Sequence, residues 1–517
     1  MGVTEPISTS LFFSYQPIGS TSICLMKLFK YLFLTLAVLL LATSCSNVND
    51  TAESMIPSDA VLVVKADMAQ LIKHSGIRQK DGKLLLPKKF KNMLESQAGS
   101  DAEDLEEEMT KLQDSGIDFT HCCYIYVDKG AVTGKGDIDA VVLVPVSDEK
   151  KMQEYIEEKA EVKFEKKGDV MVAGDNPNYF VIKDGMLCYT SVYEDDFADD
   201  FIAALTPDKS MADNDAIVKA LGTDDDVNIY MDTKKFRKEV GRQFEDGYDP
   251  ESMAASTAMD IFDVESSAVH INLSDNELNV KSENIFDKNS DYPKLVKKMT
   301  GKPNADLIKM MPKAKNSIIF SVSINGEAIA NFNLVKKLLG DAYDDPDFAK
   351  VLNIFKSING PVVFGASSDD LSEGKFNLVL AAKTPKASNI HNIIDMTPFA
   401  EYGTRNGNEY VMQESSYDPE VILGEKDNVL YFKLNNNSNS SATMDGNSEA
   451  KSLFGNALSA VYCTSTVDNM NMQFTMESDD LINGKTTMWV KEDGKKLCFL
   501  DALAFFVKLM NEVDFYI

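Results

Sequence analysis

The amino-acid sequence predicts an α+β fold of two tandem, duplicated modules, each an antiparallel-rich sheet with helices packed on one face. Three observations carry that expectation. Apolar runs of strand length are joined by pairs such as Lys167-Gly168 and Asp184-Gly185, the signature of tight hairpins. Between them lie segments whose apolar residues recur at helical spacing behind capping residues. The order of elements then returns. Ile138, Ala140, Val142 and Val144 have counterparts in Phe376, Leu378, Leu380 and Ala382, each 238 positions on, and Met152, Tyr155 and Ile156 match Ile390, Ile393 and Ile394 at the same offset. A constant offset through a strand and a helix marks one unit repeated.

In chain order, the first informative stretch is Met26–Cys45. Lys27 and Lys30 make a basic start, Tyr31–Leu41 is apolar, and Ala42-Thr43-Ser44 are small residues ahead of a cysteine. That order is a secretory signal, and its apolar run is short of the roughly 20 residues a membrane span requires. Ending on Cys45, it reads as a lipoprotein signal over residues 26–44, with Cys45 acylated as the new N-terminus; Ala42 stands where leucine is usual. Residues 1–25 are then expected to be an over-long gene start. Residues 45–55 are expected to be a lipid-anchored linker, because Ser46–Ser54 is polar and without periodicity.

The first module is expected over residues 56–310. It begins at Ile56-Pro57 with a strand Val61–Val64, an N-cap at Asp67 and a helix carrying Met68, Leu71 and Ile72. Two helices follow, Pro87–Ser96 and one opened by a capping box at Ser100 and Glu103. Strands His121–Val127 and Ile138–Val144 flank the link Gly130–Gly136, and Ser147 caps the next helix. A meander then runs through Val162–Phe164, Val170–Ala173, Tyr179–Ile182 and Met186–Thr190. Glu194–Asp200 opens a helix, Val227–Val240 is a strand and helix, and Leu295–Met299 is helical.

The second module, residues 311–517, repeats this order. Met311-Pro312, strand Ile318–Phe320 and cap Ser323 match Pro57, Leu62–Val64 and Asp67. The turns recur as Asn406-Gly407 and Asp427-Asn428, with Leu458–Cys463 a strand and Leu497–Met510 a helix docked on a core. Asn435–Asn447 reads as a surface loop.

The lipid signal, the opening Ile56-Pro57-Ser58-Asp59-Ala60 with its strand and Asp67 cap, and the approach Ser115-Gly116-Ile117-Asp118 together resemble an uncharacterised lipoprotein family of gut Bacteroidota. The resemblance covers nearly all of the chain after Cys45. It implies an outer-membrane or surface lipoprotein and supplies no activity and no catalytic residue.

Composition narrows the partners. The formal charge of −29 repels phosphate backbones and anionic headgroups, so nucleic acid is not an expected partner and the membrane is reached through acyl chains on Cys45. Beyond Cys24 and Cys45, the five cysteines Cys122, Cys123, Cys188, Cys463 and Cys498 form no disulfide framework; adjacent Cys122 and Cys123 read as small core residues.

No convergent catalytic set emerges. The histidines His74, His121, His270 and His391 stand singly, without metal-ligand spacing. Gly130–Lys135 and Gly484-Lys485-Thr486 mimic phosphate loops but do not lead into helices. Ser147–Lys150 fits Ser-x-x-Lys, read here as capping. The acidic groups Asp224–Asp226, Asp344–Asp347, Asp479-Asp480 and Asp287–Asp291 raise the calcium question, yet Tyr292 and Lys298 occupy the glycine and glutamate places of a calcium loop in the last.

The expectation is therefore an envelope protein without cofactor or metal that binds a protein or other ligand. A carboxylate hydrolase is the alternative. Glycan binding is a third reading, weakened by a single tryptophan, Trp489.

Overall fold

The computed structural model describes residues 47–512 apart from 81–82, 99–100, 129–139, 193–196, 237–263, 370–374, 385–393, 395–398, 414–418, 436–441, 468 and scattered positions between 334 and 344. The link Gly130–Gly136, Ser100 of the capping box, Ile138, Ile390, Ile393 and His391 fall outside the described residues, as do Cys45 and the signal.

A separate two-stranded hairpin pairs Arg78–Lys80 with Lys83–Leu85. In the large sheet the first ten strands are β1 (Leu62–Asp67), β2 (Cys122–Val127), β3 (Val141–Pro145), β4 (Glu165–Lys167), β5 (Val170–Asp175), β6 (Asn178–Lys183), β7 (Met186–Ser191), β8 (Val227–Met231), β9 (Val264–Asn272) and β10 (Leu278–Phe286). All pair antiparallel, in the order β4-β5-β6-β7-β3-β2-β1-β8-β9-β10. The next ten are β11 (Asn316–Asn325), β12 (Asn359–Ser368), β13 (Asn377–Lys383), β14 (Thr404–Asn406), β15 (Glu409–Met412), β16 (Glu420–Lys426), β17 (Val429–Asn435), β18 (Ser459–Val467), β19 (Met470–Ser478) and β20 (Gly484–Glu492). Their order is β14-β15-β16-β17-β13-β12-β11-β18-β19-β20.

Residue by residue, the ladder Val63–Tyr126–Val141 of the first half corresponds to Ile319–Gly365–Val379 of the second. Val141 and Val379 are 238 apart, the offset read from the sequence. The turns agree too: Gly168 and Gly407 both have positive φ, as do Asp184-Gly185 and Asp427-Asn428.

The halves join through β10 and β20, which pair antiparallel from Leu278–Met488 to Ser282–Gly484, with Lys281 opposite Lys485 and Val280–Thr486 and Ser282–Gly484 on either side of that pair. One sheet therefore runs through residue 310. Its free ends, β4 and β14, are three-residue strands with exposed Lys166, Lys167 and Arg405, a form that resists pairing with another chain.

In the first half helices cover both faces, where the sequence predicts one. On one face α1 (Asn47–Met55) is followed in chain order by α2 (Met68–Ser75), α3 (Lys88–Ala98), α4 (Asp101–Asp114) and α5 (Glu149–Ala160) on the other; α6 (Ala198–Ala204) and α7 (Asp215–Leu221) join α1. Ala52, Met55, Phe201 and Leu221 pack on Val63, Tyr124, Leu143 and Val181; Met68, Leu71, Phe90, Leu112 and Ile156 form the second core with Ala66, Cys123 and Val144.

The expected flexible linker is thus in part a helix. Ala52 and Met55 are buried in the core, the Cys122 amide donates to Asn49 Oδ1 at 3.0 Å, and the Tyr124 hydroxyl donates to Glu53 at 2.8 Å. Val48, Ala52 and Met55 stand at i, i+4 and i+7, a helical spacing too short to be decisive among polar residues until strand β2 supplies the partners.

Other boundaries move for local reasons. Asp67 caps α2 as expected, accepting from the Gln70 amide at 3.0 Å. Ser323 holds the equivalent strand position, since the Asp67 and Ser323 amides donate to the carbonyls of Asp226 and Leu458. The cap of the following helix is Asn325, however, two residues later. Asp148 caps α5, while the Ser147 hydroxyl donates to the Gly116 carbonyl at 3.0 Å. Gly116 has φ +88°, and a Cβ there would lie 2.4 Å from the Asp148 carbonyl oxygen, which explains the glycine in Ser115-Gly116-Ile117-Asp118. The meander opens at β4 rather than at Val162–Phe164, whose side chains pack partly buried on the second core.

Each half is completed by a helix from the other. α8 (Tyr292–Met299) lies against α9 (Gly326–Ala330) and β11, and the Gly301 amide donates to the Ser323 carbonyl at 3.0 Å. The second half continues with α10 (Pro346–Ser357), α11 (Ser448–Asn456) and α12 (Phe499–Glu512). Leu500 and Ala504 of α12 enter the second core of the first half, while Ala502 and Phe505 cover Met470, Met472 and Val490. Asp501 accepts from the Lys89 and Phe90 amides at 2.9 and 3.1 Å, so it caps α3 from the far end of the chain. No described helix is long and apolar enough to cross a membrane.

If α1 is part of the core, Met55→Ala lowers the free energy of unfolding by about 2–5 kcal/mol. A urea titration measures it; a midpoint equal to that of the unsubstituted protein would restore the flexible linker.

Candidate interaction surface

Strand β11 reads Asn-Ser-Ile-Ile-Phe-Ser-Val-Ser-Ile-Asn, an alternation of serines with apolar residues that by itself does not fix which set is covered. In the structure the serines are the covered set. Ser317, Ser321 and Ser323 are buried with Ile319 on the face covered by α11, whereas Ile318 and Phe320 stand on the opposite face in the open. Neighbouring strands do the same. Pro361, Val363, Gly365 and Ser367 of β12 are buried while Phe364 is exposed; Val379 and Ala381 of β13 are buried while Leu380 is exposed.

Cross-strand pairing sets Leu380, Phe364, Phe320, Val461 and Met476 in one row across β13, β12, β11, β18 and β19. Leu380, Phe364, Phe320, Met476 and the neighbouring Ile318 are 38–45 % exposed. The flanking positions Leu378, Ala366, Val362 and Val322 are also apolar, so no charged side chain interrupts the strip. Larger apolar residues thus occupy the open face and smaller ones the covered face. Contiguous exposure of this kind on a folded protein marks an interaction site.

The strip has walls. On one side α12 covers Met470, Met472 and Val490; on the other Ile394 and Phe399 cover Leu423, with Phe432 and Tyr410 packed alongside. In the first half the equivalent row is Val64, Ile125 and Val142, all three part-buried, with Val142 packed on the second core beside buried Ala66, Cys123 and Val144.

The polar clusters have structural roles. The tri-aspartate run lies where α7 enters β8. Asp226 is fully buried and accepts from the Leu273 amide at 2.5 Å, with His74 Nδ1 2.8 Å from its other oxygen, which ties α2, β8 and the turn after β9 together. His270 Nδ1 lies 2.7 Å from Asn228 Oδ1, 3.2 Å from the Thr223 hydroxyl and 3.8 Å from Asp225. A hydroxyl-imidazole-acid relay needs its acid and hydroxyl on opposite ring nitrogens, so this is a hydrogen-bonded lock. Sequence reading left these two histidines apart because β9 pairs with β8 only through the fold. His121 Nδ1 is 3.1 Å from Asp118, and its buried Nε2 has no hydrogen-bond partner.

The remaining motifs resolve similarly. Asp345 and Asp480 accept from nearby backbone amides, Asp287 does so from Asn289, and among the described residues no group of three acidic, histidine or cysteine side chains is set to hold a metal. Lys150 is turned to Glu154 at 3.6 Å, away from a Ser147 nucleophile role. Gly484-Lys485-Thr486 lies within β20, and Lys491 Nζ sits over one face of the Trp489 ring, 4.0 Å from its centre. Cys122, Cys123 and Cys188 are buried; burial pushes the Cys122 thiol up to about 11, the Cys188 thiol up to about 12 and that of Cys123 upward as well.

Fold and surface define a mixed α+β protein with one continuous sheet and an uncovered apolar face. The chain belongs to the family described as a domain of unknown function (DUF4836), whose model matches residues 52–495, from within α1 to just past β20. No curated protein matches it. Among solved structures, crystal forms I and III of TP0453 align at 7 % identity, over 46 % and 47 % of this chain and 79 % and 84 % of that one, with TM-scores of 0.27 and 0.28.

Two outcomes follow from this assignment of roles. Asp226→Ala lowers the unfolding free energy by about 2–4 kcal/mol, because the Leu273 amide and His74 lose a buried acceptor. Leu380→Asn changes it by less than about 1 kcal/mol, since the side chain is already nearly half exposed. Denaturant titration of both variants checks the pair, and a large loss for Leu380→Asn would make the strip core rather than surface. Iodoacetamide at pH 8 should leave Cys122, Cys123 and Cys188 unmodified until the protein unfolds; rapid native labelling would contradict their burial.

Proposed function

We propose that this protein is a lipid-anchored component of the cell envelope, at the outer membrane or cell surface, that acts by binding a partner rather than by catalysis. Its two halves are read as copies of one duplicated unit, the first closed by four helices of its own together with α12, and the second keeping the equivalent face open for the partner. The observation that carries the reading is strand β11, with buried serines and exposed Ile318 and Phe320. A sequence that spends its large apolar side chains on a water-facing row loses burial free energy unless something covers them.

The anchor rests on the residues themselves: a basic start, an apolar run and small residues ending on Cys45. Only Ser46 separates that cysteine from α1, so the folded body would sit close to the lipid.

Cys45→Ala is expected to abolish acylation and membrane retention with no change in thermal midpoint. Cell fractionation and labelling with an alkynyl fatty acid report on it; continued labelling of the variant would remove Cys45 as the lipid site. For binding, a benzophenone side chain replacing Phe364 in the membrane-bound protein should yield a photo-adduct that the same group replacing exposed Val351 does not. Absence of any such adduct, or equal adducts at both places, would count against the open face as a binding surface.

A further inference from the structure

Resting on that reading, the geometry of the strip points to the chemistry of the partner: we propose that the open face seats one amphipathic α-helix of another protein, with its apolar stripe on Phe320, Phe364 and Leu380 and a basic polar face outward. Three observations lead there.

The first is the equivalence of the halves. The row Val64–Ile125–Val142 corresponds to Phe320–Phe364–Leu380; in the first half it is part-buried, and helices cover Val142 and the adjacent Ala66, Cys123 and Val144 on the same face. One of those helices, α12, comes from outside that half, with Leu500 and Ala504 buried in its core. Closure of this sheet face by a helix from elsewhere is therefore a contact the protein already makes. The same helix continues over Met470, Met472 and Val490, beside the open strip, so a docked helix would extend an existing layer.

The second is chain length. Between α2 and β2, residues 76–121 supply a hairpin, α3 and α4; between α9 and β12, residues 331–358 supply α10 among the described residues. The second stretch is 18 residues shorter, 28 against 46. The site is correspondingly sized for one helix. From β13 through β12 and β11 to β18 is about 14 Å at an inter-strand spacing of about 4.8 Å, against a helix diameter of about 10–12 Å. Along β11 the apolar positions 318–324 extend about 20 Å, nearly four helical turns.

The third is charge. The strip is uncharged, but the whole chain carries −29, so a helix with lysine or arginine on its outer face is drawn in and an acidic one repelled.

The test uses the intact protein and a fluorescein-labelled helical peptide of about 18 residues built from leucine and lysine, with its leucines on one face. A scrambled peptide of the same composition and a leucine/glutamate version serve as controls. By fluorescence anisotropy the amphipathic basic peptide should bind more tightly than either control. Phe364→Ser combined with Leu380→Asn should weaken binding at least about tenfold, and Val351→Ser should leave it unchanged. Should the double variant unfold, Phe320→Ser and Met476→Gln singly are each expected to weaken binding several-fold while retaining a cooperative thermal transition. Equal binding of the scrambled peptide, or binding indifferent to all these substitutions, overturns the proposal. If instead the substitutions abolish self-association or binding to phosphatidylcholine vesicles while the peptide fails to bind, the face remains a binding surface and the helix assignment falls.

Discussion

The pairing of β10 with β20 is the contact on which the rest of the architecture depends. Lys281 and Lys485 hold matching places in the two halves, and around them Val280–Thr486 on one side mirrors Gly484–Ser282 on the other. That is the geometry of an isologous interface, made here within one chain. Like charges directly opposite on a sheet disfavour pairing, and the structure answers by giving each lysine its own acid. Lys281 is hydrogen-bonded to Glu283, which holds that carboxyl below its ordinary range, and Lys485 lies 3.8 Å from Glu477. With the seam in place, α12 can reach the first half, where Asp501 caps α3, and α8 can reach the second. Without it, each half would lose the helix that the other supplies.

The same seam exposes a difference between the halves. Both bury one sheet face under short helices, around Tyr124 and Leu143 in the first and Tyr431 and Tyr462 in the second. On the other face the first half has four helices of its own plus α12, and a core that includes Phe90, Met109 and Met152. The second half has Ile394 and Phe399 at one margin, α12 at the other, and Phe320, Phe364 and Leu380 uncovered between them. The residues on the two faces of β11 show that this is built into the sequence: serines lie where burial is complete and large apolar groups where it is not. A folded protein gains little from such an arrangement alone. It gains when a partner removes those side chains from water.

Much of this was legible in the sequence where local chemistry decides structure. Turns at Lys167-Gly168, Asp184-Gly185 and Asn406-Gly407 have the positive φ that glycine permits, and the Asp67 cap forms as its position implies. Val141 and Val379, 238 positions apart, hold matching places in the two strand orders, with their side chains on the buried face of each. What could not be read depends on partners distant in the chain. Helix α1 is held by Cys122 and Tyr124; the seam strands, with Asn279, Lys281 and Ser282 against Lys485 and Thr486, show no apolar alternation; and Asp226 joins His74 across 152 residues. The open face left a signal in the alternation of β11, but alternation alone does not say which side is covered.

The central claim is one sheet of two equivalent halves joined within a single chain, and its most direct test is a cross-link at the symmetric centre of the seam. Lys281→Cys together with Lys485→Cys places two thiols on directly opposed residues of an antiparallel pair, within reach of a disulfide. After mild oxidation, peptide mapping should recover residues 281 and 485 joined within one monomeric chain. Recovery of the link only between chains, or of no link while the protein remains folded, would contradict the seam and with it the equivalence of the halves.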